Sequence, residues 1–275
     1  MIGMHLASKI SGTCAVLLCL TACGGGGSSG GTAAAPAPAP PPPDAEIGGF
    51  YTVQLTTAGG LSGEATLAVT EDGEFVMSED PSGALDGLYF RGQLDVDQQS
   101  LTGAGVQLAV PGFADFLLDS GVATRRIEFT LDGTVTTERQ SLSGTAVAQG
   151  IADTTSFSAA SSDDLRDFYN SGSSLEDVAG RYVDIITGTN IQFEIDGEGN
   201  ISGLNANCDL SGRVVPVDSR FNLYDLRVVV ANCPIFIEGE YNGLASRDEA
   251  AGVPLLIASG DDGGETPFVF IFDRF

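Results

Sequence analysis

Apolar and polar residues alternate over short stretches of this chain, and turn residues separate the stretches. The run from Leu88 to Val96 shows the pattern, because apolar residues and one glycine fill every second position. Such alternation places one face of a β-strand in a core and the other in solvent. The number and spacing of these stretches favour meander barrels. Strands are predicted at 49–57, 65–70, 74–77, 88–96, 104–110, 127–131, 134–137, 144–149, 154–159, 191–195, 212–217, 223–230, 236–241, 253–258 and 268–273.

Asp-Gly pairs mark several of the predicted turns. Asp72-Gly73, Asp132-Gly133 and Asp196-Gly197 each follow an apolar run, which is the sequence pattern of a tight hairpin. We therefore expect the chain to reverse direction at all three positions.

Two segments have helical rather than alternating spacing. Pro111 to Asp119 starts near a proline and is followed by Gly121, which predicts a short helix over one end of the first barrel. Asp163 to Tyr169 brings apolar residues together at helical spacing. Ser173-Ser174-Leu175-Glu176 then reads as a capping box at the start of a second helix.

The sequence after these helices repeats features of the first half. Gly180-Arg181-Tyr182 begins the second half as Gly49-Phe50-Tyr51 begins the first. Residues 191–197 repeat the strand and Asp-Gly turn of 67–73. The fold class predicted is all-β, with two small antiparallel up-and-down (meander) β-barrels joined by a short helical linker. The modules would span 48–160 and 180–275, with the linker at 161–179. One long β domain with coincidental turns is the alternative.

The second half also carries a recognisable series of motifs, namely Gly-x-Tyr, Cys208-x-x-Ser211-Gly212, Asn222-x-Tyr224, Cys233 and Gly239-x-Tyr241-x-Gly243. Over residues 174–275 this series resembles uncharacterised proteobacterial lipoproteins with avidin-like or lipocalin-like meander barrels. The resemblance implies a meander-barrel fold and a location in the cell envelope, and it implies no activity. The chain has no tryptophan to match those that stack on biotin in avidin-like proteins.

The first 22 residues have the layout of a secretion signal. One cation, Lys9, precedes an apolar run from Ile10 to Leu20 that is too short to span a bilayer comfortably. Leu20-Thr21-Ala22-Cys23 resembles the bacterial lipobox, which implies that Cys23 receives a diacylglycerol and anchors the chain in a membrane. An ordinary secretory signal cleaved after Ala22 is the alternative.

Residues 23–47 are rich in glycine and serine and then in proline and alanine, so they predict a tether rather than folded structure. Because Gly24 rather than Asp follows the cysteine, the lipobox resemblance implies sorting to the outer membrane. The lipid-anchored protein would lie on the periplasmic face or on the cell surface, and the sequence leaves that choice open.

Charge narrows the range of partners. Removal of the signal takes away the single lysine and the single histidine, which leaves 11 arginines against 37 acidic residues. This excess of negative charge argues against nucleic acid and anionic lipid surfaces, because both require basic patches. Divalent cations and basic peptides remain open, and a solvated acidic surface is the plainer explanation.

The residue types that the mature chain lacks also limit the reactions that it could catalyse. Without histidine and lysine in the mature chain, Ser-His-Asp, Cys-His and Ser-Lys catalysis, Schiff bases and imidazole zinc sites are excluded. Paired carboxylates could still hydrolyse glycosides, but the sequence offers no aromatic sugar platform. We predict that the protein is not an enzyme and that it has no cofactor and no metal.

Cys208 and Cys233 are the cysteines that remain after removal of the signal and lipidation of Cys23. In an exported protein such a pair predicts a disulfide. If 214–217 and 221–230 pair as a hairpin centred near residue 220, Cys208 and Cys233 would face each other.

Three acidic turns could bind calcium weakly, but none has the full spacing of an EF-hand loop. Hairpin chemistry explains their Asp and Gly residues equally well. The turns are Glu71-Asp72-Gly73-Glu74, Asp196-Gly197-Glu198-Gly199-Asn200 and Asp261-Asp262-Gly263-Gly264-Glu265.

These observations together predict a lipid-anchored outer-envelope protein that acts as a non-catalytic binding or structural module. Its partners would be the membrane, through Cys23, and a protein or a small apolar ligand. The alternative is a lipocalin-like carrier of a small apolar ligand.

Overall fold

A computed structural model describes residues 46–79, 88–109, 115–136, 140–184, 191–203, 209–232, 238–248, 255–263 and 266–274. It contains two closed antiparallel β-barrels of eight strands each, with two short helices between them in the chain. The predicted fold class is confirmed. Both barrels lie within one compact unit of the chain.

The first barrel, here called barrel 1, is an up-and-down meander in which the last strand pairs with the first. A two-stranded hairpin is inserted between its fifth and sixth barrel strands. The barrel strands are β1 (Gly49–Thr57), β2 (Ser62–Val69), β3 (Glu74–Glu79), β4 (Leu88–Asp97), β5 (Ser100–Ala109), β8 (Arg126–Val135), β9 (Ser141–Ala148) and β10 (Thr154–Ala160), and the inserted hairpin is β6 (Phe116–Leu117) and β7 (Ala123–Thr124).

The second barrel, barrel 2, has the same meander order and closes by pairing its first and last strands. Its strands are β11 (Gly180–Asp184), β12 (Gln192–Ile195), β13 (Asn200–Gly203), β14 (Asp209–Pro216), β15 (Tyr224–Ala231), β16 (Gly239–Asp248), β17 (Leu255–Asp261) and β18 (Pro267–Arg274). The linker helices are α1 (Asp163–Tyr169) and α2 (Leu175–Val178).

Glycines face each other where neighbouring strands approach most closely. Gly133 on β8 pairs with Gly144 on β9, and a Cβ atom added to either would lie 2.2 Å from a backbone oxygen of the other strand. Gly92 and Gly105 form the same kind of pair between β4 and β5. Glycine in a strand interior marks such close approaches and bends, which a small barrel needs in order to close.

The linker helices begin at serine caps. The Ser162 hydroxyl accepts a hydrogen bond from the Leu165 amide at 3.2 Å, and α1 runs over Asp163–Tyr169 as predicted. The cap of α2 is Ser174 with Asp177 at its third position, one residue later than the predicted capping box. The reason is that Ser173 is used elsewhere, since its hydroxyl donates to the Asp218 carbonyl at 3.2 Å.

The helix predicted for 111–119 is wrong over the part of it that the structure describes, 115–119. Phe116 and Leu117 form a strand, β6, that pairs with β7. Gly121 does not end a helix but turns this hairpin, with φ of +80° and its amide donating to the Leu118 carbonyl at 2.8 Å. Leu117 is 68% exposed, so the apolar spacing that predicted a helix face does not correspond to a buried face.

The two barrels pack side by side through the outer face of barrel 1. Phe50, Val76 and Tyr89 point outward from β1, β3 and β4 and join a buried apolar cluster with Phe221 and Leu223 of barrel 2. This cluster removes apolar surface of both barrels from water, which stabilises the contact between them.

Tyr169, the last residue of α1, contacts both barrels. Its ring stacks on Phe221 at 4.7 Å between centroids, and its hydroxyl donates to Glu71 of barrel 1 at 3.2 Å. Its carbonyl accepts from the amide of buried Asn222 at 2.7 Å. The Asn222 side chain in turn bonds both the amide and the carbonyl of Arg247 on β16. The linker therefore joins the barrels rigidly rather than as a loose connection.

Candidate functional site

A cavity of about 70 Å³ lies inside barrel 1 and is partly open to solvent. Its wall is apolar apart from two side chains, Gln107 on β5 and Thr155 on β10. The apolar lining includes Leu55, Leu67, Met77, Phe129, Ala146 and Phe157. An apolar pocket with few polar groups is the usual form of a small-molecule site.

The cavity exists because several positions that point into barrel 1 carry small side chains. On β9 the inward positions after Leu142 are Gly144, Ala146 and Ala148. On β5 and β8 the inward positions include Gly105 and Gly133. Large side chains of β1 to β4, such as Leu55, Phe75 and Phe90, line the cavity as well.

One end of the barrel interior is closed. Tyr51, Val69, Leu142 and Ala159 are almost fully buried, and they pack together at the end next to the linker. The Tyr51 hydroxyl donates to the Ile47 carbonyl at 2.8 Å, which ties the entering chain across this end. From these side chains the cavity extends toward the opposite end of barrel 1, where Gln107, Ala148 and Thr155 line it.

A second candidate site is an ion pair between the barrels, in which the Arg91 side chain is 36% exposed and Asp261 is buried. The Nε atom of Arg91 on β4 lies 2.7 Å from Oδ2 of Asp261 on β17, and the Asp261 side chain has no exposed surface. Neither atom has a partner in hydrogen-bond geometry in the described part of the chain. Burial raises the pKa of Asp261, and the charge of Arg91 opposes that rise. Burial and the nearby Asp261 charge raise the pKa of the Tyr89 phenol.

Carboxylates from both barrels also gather beside this interface. Partial burial, and then the charges of Asp225 and Asp72, raise the pKa of Glu74 on β3. Partial burial and Asp72 raise the pKa of Asp225 on β15. The cluster is a like-charge contact between the barrels, and it opposes their packing.

The acidic turns are used as hairpin turns. The Asn200 side-chain amide donates to Oδ2 of Asp196 at 2.9 Å, and the Asn200 and Glu198 backbone amides donate to Oδ1 at 2.8 and 3.0 Å. These hydrogen bonds, that of the Asn200 side chain first, lower the pKa of Asp196. Oδ1 of Asp261 accepts from the Gly263 amide at 2.7 Å. Within the described ranges, no three acidic, cysteine or histidine side chains are placed so that they could hold a metal ion.

The residues predicted to carry modification fall outside the described residues. They are Cys23, Cys208 and Cys233. The two strands beside the latter pair do form the predicted hairpin, because β14 pairs with β15. Asp209 lies opposite Ala231, whereas the predicted register would place it opposite Asn232. The disulfide remains a prediction.

The sequence interpretation did not find the cavity or the ion pair. A signal for the cavity was present, because every second residue from Gly144 to Ala148 is small. It becomes meaningful only when the register shows that these positions point inward. Arg91 and Asp261 are 170 positions apart, and no local pattern links them.

The fold and the cavity define an all-β protein of two linked meander barrels, one of which has an open apolar interior. Among the described residues, no helix combines the length and the apolar character needed to cross a bilayer.

Comparison with known proteins gives a distant structural likeness. A candidate outer membrane protein of Bacteroides fragilis, known from a crystal structure, matches 83% of this chain and 97% of its own chain. The identity is 14% and the TM-score is 0.27. No protein-family model matches the sequence, and no curated protein matches it significantly.

Proposed function

We propose that this chain is a lipid-anchored outer-envelope protein that acts by binding, without catalysis. The observation that carries the binding role is the partly open apolar cavity of barrel 1. Among the functions considered from the sequence, this cavity favours the lipocalin-like carrier over a purely structural module.

The anchor rests on the sequence. Leu20-Thr21-Ala22-Cys23 follows a short apolar run and precedes the stretch 24–43, which consists of glycine, serine, threonine, alanine and proline and predicts a tether. Such a tether would allow the barrels to move away from the lipid while they stay attached to the membrane. The absence of histidine and lysine from the mature sequence supports a role without catalysis.

The anchor is tested by fractionation of cells that express Cys23→Ser. The variant should leave the membrane fraction, because the acyl chains that hold the protein there would be missing. Cys19→Ser is the matched control, since it changes a cysteine of the same segment without touching the lipobox and should stay with the membrane. Equal membrane retention of both variants would refute the anchor.

The binding role is tested by native mass spectrometry of the wild-type protein extracted gently from cells. A carrier should retain a small molecule as an added mass that leaves on collisional activation. Protein that shows no added mass under conditions that preserve the fold would leave the structural module as the better account.

A further inference from the structure

Apolar side chains surround the open end of barrel 1. The β1–β2 turn, the β6–β7 hairpin and the β9–β10 turn all lie at this end, opposite the linker. Leu61 in the first turn is 60% exposed, and Leu117 and Val122 in the hairpin are 68% and 57% exposed. We call these three residues the rim. Large exposed apolar side chains that cluster beside a cavity are a mark of a binding surface.

The inserted hairpin is held across this end of the barrel. The Asp119 amide donates to the Gly150 carbonyl of the β9–β10 turn at 2.8 Å, and Leu118 packs close to Gly150. The hairpin, which lies between β5 and β8 in the chain, is thereby tied to the β9–β10 turn, and it carries Leu117 and Val122 at this end of the barrel. Ala148, the last residue of β9, lines the cavity and lies directly before this turn.

The size of the cavity limits what can enter it. At about 70 Å³ it has roughly half the volume of the ~150 Å³ cavity that accommodates a benzene ring. A ring system or a branched group is too wide, whereas the last few carbons of a straight chain fit. Any larger ligand must leave most of its length outside, where the rim offers apolar contact.

The charged residues at this end of barrel 1 limit which ligand head groups can bind there. Arg125 and Arg126 are the nearby cations among the described residues, and they lie 3.9 Å from Asp115 and 3.8 Å from Glu128. Asp119 and Asp153 add two further carboxylates in the adjoining turns. The excess of acid at this end disfavours an anionic head group.

We infer that barrel 1 binds the end of an unbranched alkyl chain that belongs to an amphiphile without an anionic head group. The terminal carbons occupy the cavity, and the next carbons lie against Leu61, Leu117 and Val122. This inference rests on the proposed binding function and names its ligand class.

The test uses calorimetry with alkyl maltosides below their micelle concentrations and the full mature chain carrying Cys23→Ser. Decyl maltoside should bind with one site per chain, and each carbon added between octyl and decyl should tighten binding about fourfold. The probe 4-cyclohexylbutyl maltoside has the same ten carbons with six of them in a ring, and it should bind about tenfold more weakly, because its ring does not fit the cavity.

Two pairs of variants locate the site. Ala146→Phe fills the cavity and should weaken decyl maltoside binding about tenfold or more, whereas Thr145→Phe, on the outer face of the same strand, should not change it. Leu117→Ser with Val122→Ser should weaken binding about fivefold. Val215→Ser with Val217→Ser, on exposed valines of barrel 2, is its control. Cooperative melting of each variant verifies the fold.

Equal affinity for the two ten-carbon probes, or no effect of Ala146→Phe, would overturn the inference. So would binding to phosphatidylcholine vesicles without binding to decyl maltoside, since the rim would then dock on a bilayer instead. If the protein from cells carries a small molecule of another class, the inference fails while the proposed binding function stands.

Discussion

Tyr51 and Tyr182 make the same hydrogen bond in the two barrels. Each is buried, and each donates its hydroxyl to the carbonyl four residues earlier, Tyr51 to Ile47 at 2.8 Å and Tyr182 to Val178 at 2.7 Å. Burial raises the pKa of Tyr182 to about 12, so the Tyr182 hydroxyl stays protonated as a donor at neutral pH.

The likeness continues into the second hairpin of each barrel, β2–β3 and β12–β13. The Leu94 amide donates to the Gly73 carbonyl in barrel 1, and the Val214 amide donates to the Gly199 carbonyl in barrel 2, both at 2.8 Å. Gly73 and Gly199 have φ of +88° and +84°, a region that favours glycine. Shared bonds at matching positions support the internal duplication predicted from the sequence.

Replacement of either tyrosine should cost similar stability. Tyr51→Phe and Tyr182→Phe each leave a buried carbonyl without this donor, which costs about 1 kcal/mol. Thermal melting should show a drop of about 2 to 4 °C for each variant. A lower melting temperature for only one of the two variants would show that the two hydrogen bonds contribute differently to stability.

The ion pair between the barrels should stabilise their packing. Arg91→Leu leaves Asp261 charged and buried without its partner, and it should lower the free energy of unfolding by about 1 to 3 kcal/mol. Arg91→Leu with Asp261→Asn should recover part of this loss, because the uncompensated charge is gone. Chemical denaturation of the two single variants and the double variant measures the coupling. Additive effects would mean that the pair contributes nothing.

The like-charge contact beside the pair predicts a pH dependence. Because the pKa of Asp225 is raised, its contribution to stability is full at low pH and is lost as pH rises through the folded pKa. Asp225→Asn should therefore raise the melting temperature at pH 7 by about 2 °C. The gain should vanish below the ordinary carboxyl value of 3.8. Asp95→Asn, on an exposed face of barrel 1, controls for net charge. An equal gain from both variants would contradict a local contact.

The predicted disulfide should act on barrel 2. Closure of a loop between Cys208 and Cys233 should stabilise that barrel by about 3 kcal/mol. Reduction should lower its melting and leave barrel 1, which has no cysteine, nearly unchanged. Thiol titration of protein purified without reductant checks the bond, and two free thiols at these positions would refute it.

Turn chemistry alone predicted some turns and misplaced another. Asp72-Gly73 and Asp196-Gly197 do lie in hairpin turns. Asp132-Gly133 has the same local signal but lies inside β8, because Gly133 is needed for the close approach to Gly144 on β9. The sequence of a short segment does not distinguish a turn glycine from a glycine at a barrel bend. That distinction depends on the strand that lies opposite.

Alternation predicted most of the barrel strands, but it missed β11 and β13 and divided β8 in two. It also did not predict how far the barrel interiors are filled. Phe90 and Leu94, two large residues of the alternating run 88–96, were expected to face a core, and they do. Whether they meet across it depends on the small residues opposite, such as Ala146, and on the stagger of the strands. The cavity therefore depends on the register of the strands. Even for the β14–β15 hairpin, the register predicted from the sequence differs from the observed one by one residue.

The central claim is that the cavity of barrel 1 is a binding site that is occupied in cells. Native mass spectrometry of wild-type, Ala146→Phe and Thr145→Phe proteins extracted from the same cells tests it directly. Wild-type and Thr145→Phe should carry an added mass that activation releases as a small molecule, and Ala146→Phe should lack it because the phenyl ring occupies the cavity. The same added mass on all three folded proteins, or on none of them, would contradict the account.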